Sequence, residues 1–385
     1  MKRLILAGGG HAHLHVLKAL AAHAWPAVEV ILISPHERQV YSGMLPGWIA
    51  GHYRLEACVA ELLPLVRAAG VRFMHDSVIG LDARRRIVRC AKSGDIAYDL
   101  LSLDVGAQVD VSTLAATDAA LLPIRPIERF IVDWSHQLQD LSGAGRARIA
   151  VAGGGAAGVE LALAIRHRLT RAITDDAVEV FLIEGRSFLR GHGQGVAGRL
   201  AQVLKTRGVA RVPGLAVGTD GGLLLEDGRR LEVDCVVAAT GVSPPAWLDD
   251  SHLALAQDGF VAVGDGQQSI SHANVFAGGD VASRVDKPHA KSGVYAVRSG
   301  PALAQNLERF LAGQAIQPYR PQRRSLYLLA TGPKHAIASW GSLSVQGAWV
   351  WRWKNWIDRR FMKQYDLAKG VRDEPAKGHQ PSVGQ

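Results

Sequence analysis

Short apolar runs that end in glycine and give way to helical spacing recur along the chain. The first is LILAGGGHAHLHVLKAL, close to the amino terminus, and the second is AVAGGGAAGVELALA at residues 150–164. A continuous apolar run bounded by turn residues reads as a buried strand, and the apolar residues after the glycines recur at three and four, as on one face of a helix. Each segment therefore predicts a strand, a tight turn and a helix. VEVILIS at residues 28–34 and VEVFLI, the run leading to Glu184, supply second strands and complete two βαβ units. YDLLSLDVG, ending at Gly106, reads as a further buried strand, VRFMHDSVIGLDARRRIVRC alternates as strands, and IRPIERFIVDWSHQLQDL carries helical spacing. CVVAATG and NVFAGGD, beginning at residues 235 and 274, are again buried strands running into glycine. Strands alternating with helices predict an α/β protein with parallel sheets.

Gly153, Gly155 and Gly158 fit G-x-G-x-x-G. In that spacing the first glycine makes the turn, the second lets backbone approach a pyrophosphate, and the third lets helix and strand pack closely. Unpaired N–H groups at the helix amino terminus then face the phosphates. A lone loop of this kind often serves packing alone, and a second copy roughly 145 residues away makes a pair of nucleotide sites the better reading. The first copy departs from the spacing, because Gly8 and Gly10 match but His13 stands in place of the third glycine. His11, His13 and His15 lie close enough on one helix to suggest a metal, yet no carboxylate or cysteine set accompanies them, so packed or solvated helix residues are expected and no metal. Glu184 ends the second strand of the later unit, where a carboxylate accepts the adenosine ribose hydroxyls and repels a 2′-phosphate. NADH is thus expected ahead of NADPH, with Arg186 tempering the preference. In the earlier unit Ser34 and Pro35 occupy that place, and Glu37 reads as a solvated loop glutamate.

At 385 residues, 48% hydrophobic and with 42 glycines, the chain is long enough for two or three domains. Cys58, Cys90 and Cys235 form no close pair, which argues against a disulfide framework or a zinc ribbon and leaves buried reduced thiols as the expectation. The apolar run after the first residues is too short for a signal peptide and no stretch is long enough to span a bilayer, so a cytoplasmic protein is expected. A formal net charge of +9 implies contact with something anionic. In WVWRWKNWIDRRFMKQY a helix would gather Trp349, Trp353, Trp356, Ile357 and Phe361 on one stripe, leaving Arg352, Lys354, Arg359, Arg360 and Lys363 against Asp358 on the remainder. Tryptophan with basic flanks suits a headgroup boundary, so residues 349–365 predict peripheral attachment to an anionic membrane on its cytoplasmic face, with no nucleic acid partner. The same stripe would equally serve internal packing or a homodimer. Residues 366–385 read as a disordered tail.

The two glycine loops, the A-T-G of CVVAATG and the G-D of NVFAGGD together resemble the ordered signatures of two-dinucleotide-binding flavoproteins, in the pyridine nucleotide-disulfide oxidoreductase superfamily. ISPHERQVYSGMLPGWIAGHY, KSGVYAVRSGPALAQNL and GAWVWRWKNWIDRRFMKQY narrow the resemblance to the flavoprotein module fused ahead of selenophosphate synthase, a relative of type II NADH dehydrogenases. The resemblance covers nearly the whole chain. It implies two Rossmann-like domains, the FAD domain discontinuous over 1–115 and 255–320 and the NAD domain inserted at 116–254, with a small carboxyl-terminal domain at 321–365. It implies that FAD is held by Gly8, Gly10, His11, Ser34, Tyr41, Ser42, Val78, Gly106, Gly279 and Asp280, with Asp280 on the ribitol chain and Met44 beside the flavin. NADH would be held by Gly153, Gly155, Gly158, Glu184, Thr240 and Gly241. Lys291 would stand near flavin N1 and the C2 carbonyl, and Glu160 near the nicotinamide and the acceptor. YSGMLPG lacks the cysteine pair that disulfide reductases carry there, so electrons are expected to pass from FAD directly to a small acceptor, a quinone. Reduction of a selenium or sulfur compound is the enzymatic alternative, and a redox sensor that binds both nucleotides the non-enzymatic one.

Overall fold

Two five-stranded parallel sheets, built to one plan, organise the chain. The computed structural model describes residues 1–366 apart from residues 24, 26, 323, 324 and 342. From the amino terminus come β1 (Lys2–Ala7), α1 (His11–Ala22), β2 (Val28–Ser34), β3 (Arg72–His75) and β4 (Leu100–Leu103). The next unit holds β5 (Ala120–Pro123), α2 (Ile127–Ala144), β6 (Ala147–Ala152), α3 (Ala156–Leu169), β7 (Val178–Ile183), β8 (Val209–Val212) and β9 (Cys235–Ala238). The chain then returns through β10 (Val275–Ala277) and α4 (Gly293–Leu311), and closes with β11 (Leu326–Ala330), β12 (Ala336–Trp340), β13 (Leu343–Gly347) and α5 (Ala348–Lys363).

The first sheet runs β10-β4-β1-β2-β3 and the second β5-β9-β6-β7-β8, every neighbouring pair parallel. In each, the strand before the glycine loop is central, its successor lies on one side, and the strand that ends in glycine or Thr-Gly lies on the other. Crossovers therefore leave the central strand in opposite directions, which opens a crevice beyond the carboxyl ends of the strands at that switch point. The outermost strand differs in origin: late chain completes the first sheet, early chain the second.

Burial follows the predicted pattern. Leu4, Ile5, Leu6 and Ala7 are inaccessible on β1, as are Ile149, Ala150 and Val151 on β6, because both faces of a parallel sheet are covered. Leu14 and Leu17 of α1 pack with Leu303 and Leu307 of α4 against the first sheet. β11, β12 and β13 form an antiparallel sheet on which α5 lies through Val350 and Trp351. Among the described residues no helix is long and apolar enough to cross a membrane. The tail expected at 366–385 lies outside the described residues except for Asp366.

Candidate functional site

The first glycine loop opens a cleft at the β1/β4 switch point. Gly8, with φ +94°, lies so close to the Asp104 carbonyl and Val105 that a Cβ would overlap them, so only glycine makes this turn. Gly10 is the N-cap of α1 without a side-chain cap bond, as Gly155 is for α3. Gly8, Gly10, His11, Ser34, Ser42, Val78, Gly106 and Asp280 all line this cleft, and Gly279 adjoins it with its Cα against the Asp104 carboxylate. Sequence reasoning missed three residues there. Asp104, at the end of β4, accepts the His13 N–H at 2.9 Å, and burial pushes its carboxyl up to about 7. Arg125, on the connection from β5 to α2, donates to the Asp280 carboxylate at 2.5 Å across the cleft. Trp247 lines the cleft as well. The acid before Gly106 was visible as a strand-end residue, whereas Arg125 carries no local signal.

His13 explains how the loop tolerates losing its third glycine. At Gly158 of the second loop a Cβ would overlap the Gly153 carbonyl. At the matching place in the first loop the His13 ring meets the Gly8 carbonyl through Nδ1 at 2.6 Å and Ser102 Oγ through Nε2 at 2.8 Å. The ring is wholly buried, and burial lowers its pKa to about 4, so it is neutral at physiological pH. Of the two readings given to the histidines, packed and solvated, His13 takes the first. Replacing it with alanine leaves both partners buried and unpaired, and chemical denaturation should show a loss of roughly 1–3 kcal/mol. An unchanged midpoint would mean that the ring contributes nothing to the loop.

The second loop repeats the geometry at β6/β9. Gly153, with φ +138°, is pressed against the Ala239 carbonyl and the Thr240 N–H, and Gly154 against the backbone of Glu184. Gly153, Gly155, Gly158, Glu184, Thr240 and Gly241 are thereby brought to one end of the second sheet. The Glu184 side chain is only 9% exposed and accepts a bond from Arg211 Nε of β8, whose guanidinium lies 4.1 Å from the Phe188 ring centroid.

Glu160 and α5 build a third element. Glu160, in the first turns of α3, accepts the Ala330 N–H at 2.7 Å; burial pushes its carboxyl up to about 7, against the pull of Lys354. Lys354 Nζ donates to the Gly43 carbonyl at 2.7 Å and to Asp358 at 2.9 Å. Burial opposes its charge, but the Asp358 and Glu160 carboxylates outweigh that, so the ammonium stays protonated. Tyr41 hydrogen-bonds Asp358, and burial with that neighbour raises its hydroxyl pKa. Residues 41–43 thus touch this cluster on one side while Ser42 lines the cleft on the other.

Several sequence expectations need correction. Lys354 and Asp358 are not part of a solvated remainder: they share the inward face of α5 with Val350, Trp351 and Phe361. Phe361 accordingly leaves the exposed stripe, while Trp349, Trp353 and Trp356 are 50%, 37% and 56% exposed. Lys291 does not line the cleft, because its ammonium is held by Ala282 O and Ser283 Oγ, both at 2.6 Å, and lies 3.9 Å from the Phe260 ring centroid. What faces the cleft there is the amino terminus of α4, through Gly293 and Ala296. Tyr41 packs on His11 and Phe361, and Met44 is fully buried among the residues under α5, so neither lines the cleft. Cys58, Cys90 and Cys235 are free and buried; burial pushes the Cys58 thiol up to about 12 and Cys90 to about 11. None of the three lines the cleft.

The cleft fits the dinucleotide expected of it. His11 lines it, and its Nε2 is shielded from solvent and has no hydrogen-bond partner in the protein; Ser292 Oγ, next in the chain to the lining residue Gly293, is likewise buried without a partner. Buried polar atoms without partners imply a ligand that satisfies them. Among the described residues no cluster of His, Cys, Asp or Glu could hold a metal ion.

Residues 2–307 match the family described as pyridine nucleotide-disulphide oxidoreductase. An NADH dehydrogenase-like protein of Mycobacterium tuberculosis is 27% identical over 305 residues, an alignment that takes in 75% of this chain and 75% of that one. The structure of NDH2 from Plasmodium falciparum in complex with NADH superposes with a TM-score of 0.79 at 13% identity, over 97% of this chain and 99% of the other. The sulfide:quinone oxidoreductase of the hyperthermophilic bacterium Aquifex aeolicus gives 0.78 at 16% identity, over 98% and 96%. At such identities these two structures establish a shared fold.

Proposed function

Because the chain belongs to the pyridine nucleotide-disulphide oxidoreductase family, we propose that this flavin- and pyridine-nucleotide-dependent oxidoreductase binds FAD at the first switch point and NADH at the second. In this reading it passes electrons directly to a quinone-like acceptor, with no cysteine relay. FAD would be held by segments 1–115 and 255–320, NADH by 116–254. The observation that carries the reading is the duplication itself: two glycine cradles, each seated at a switch point, with Arg125 of the second unit reaching the cleft carboxylate of Asp280.

FAD, when bound, supplies the two-electron carrier between a hydride donor and an acceptor. The chain's own residues do the rest. Gly8 and Gly10 let backbone approach the phosphates, and Asp280 accepts from the ribityl hydroxyls. Arg125 and the amino terminus of α4 take the stabilising role expected of Lys291, since both present positive charge to the cleft. Glu184 takes the adenosine ribose. Glu160, poised near 7 by burial, holds a proton for the acceptor, and Lys354 fixes its charge state. Two observations support direct transfer: the thiols are raised in pKa and lie away from the cleft.

Purified protein reduced with NADH should reoxidise faster with a quinone than with selenium or sulfur compounds; the reverse order would replace the acceptor assignment. Negligible turnover with every acceptor would favour the sensor reading.

A membrane surface suits the quinone. Trp349, Trp353 and Trp356 on α5 stand exposed beside Trp340, Leu343 and Val345 of the adjoining sheet, 37–64% accessible, with Arg352, Arg359, Arg360 and Lys363 around them. Aromatic groups with basic flanks favour an anionic interface, here the cytoplasmic face. Changing the three tryptophans to glutamine should abolish co-flotation with anionic vesicles and leave turnover with a soluble quinone intact; unchanged flotation would refute the membrane assignment.

A further inference from the structure

The carboxylate expected to repel a 2′-phosphate is the less accessible member of an ion pair. The Glu184 side chain is 9% exposed and its Arg211 partner 36%, so at the end of β7 the group offered to a ligand is the guanidinium. Phe188 lies under that guanidinium at 4.1 Å, and with Nε given to Glu184 the planar fork is fixed in one orientation between the carboxylate and the ring. Arg186 and Arg190 lie exposed on the same loop. Glu226, on the hairpin beside Gly214, is turned to the Leu215 N–H at 2.9 Å. The local inventory is therefore one buried carboxylate paired with the Arg211 guanidinium, with two further exposed arginines on the loop that follows it. A ribose diol still finds an acceptor in Glu184, and a phosphate monoester finds donors whose planar geometry matches its oxygens.

We propose that the Glu184–Arg211 pair makes the second switch point accept the 2′-phosphorylated dinucleotide, NADPH, as well as NADH. Arg211 contacts the phosphate and also positions Glu184 for the diol. This rests on the reading of that loop as the nucleotide site. Arg211 lies outside the proton-delivering cluster, so its replacement should move KM and leave kcat alone.

The test is anaerobic reduction of the flavin in the holoprotein by each nucleotide, with steady-state kinetics, for the parent, Arg211→Met and Arg211→Lys. The parent should use NADPH with kcat/KM within about tenfold of NADH. Arg211→Met should raise the KM for NADPH by about tenfold or more with kcat unchanged, raise the KM for NADH much less, and lose the salt sensitivity of NADPH binding. Arg211→Lys, which keeps the charge, should recover part of the NADPH affinity. A parent reduced by NADH alone, or an Arg211→Met variant that shifts both nucleotides equally, overturns the inference and leaves the function standing. Reduction by neither nucleotide overturns the function and the inference with it.

Discussion

Asp280→Ala protein is expected to purify with little or no FAD. The carboxylate lies in the cleft with its side chain 10% exposed, and it is the ion-pair partner of Arg125. The substitution removes an acceptor for ribityl hydroxyls and leaves a guanidinium without its counter-charge at the same point. Hydrogen bonds to charged groups are each worth roughly 1.5–3 kcal/mol, so FAD should bind about ten- to a hundredfold more weakly. Asp280→Asn, which keeps an acceptor but not the charge, should fall between. Reconstitution titrations measure both, and unchanged FAD occupancy in the alanine variant would remove Asp280 from the site.

Glu160→Gln should spare reduction by NADH and slow reoxidation by quinone about a hundredfold, the scale on which a positioned proton donor acts. Burial pushes the Glu160 carboxyl up to about 7, so the acid form is present below that pH and is lost above it. Reoxidation in the parent should therefore decline as pH rises through about 7, while the glutamine variant should show no such inflection. Lys354→Met removes the cation facing both Glu160 and Asp358 and should shift the inflection upward. Rapid-mixing measurements of the two half-reactions across this range decide the matter, and a parent rate independent of pH would contradict the role given to Glu160.

Much of the architecture was legible because continuous apolar runs and glycine turns are local signals. β1, β2, β6 and β9 announce themselves as four or more buried residues in sequence, and Gly8 and Gly153 hold conformations that few other residues adopt. What escaped depends on distant chain. Arg125 matters because residue 280 lies opposite it, a relation with no trace in local spacing. Lys291 stands at a helix start, but Asp258, Phe260 and Ser283 draw its ammonium away from the cleft. On α5 the tryptophan stripe was real, yet the face that packs is the one carrying Lys354 and Asp358. Charged residues there look solvated until Gly43, Tyr41 and Glu160 are brought against them. His13 broke the glycine rule in sequence and satisfied it in space, by hydrogen-bonding the carbonyl that a third glycine would only have made room for.

The most direct test of the two-cradle account is an anaerobic titration of the purified protein with NADH, followed by flavin absorbance. A yellow protein whose flavin bleaches stoichiometrically, and recovers its colour on adding quinone, is the predicted result. A protein that stays colourless after reconstitution with FAD, or a bound flavin indifferent to excess reduced nucleotide, would contradict it.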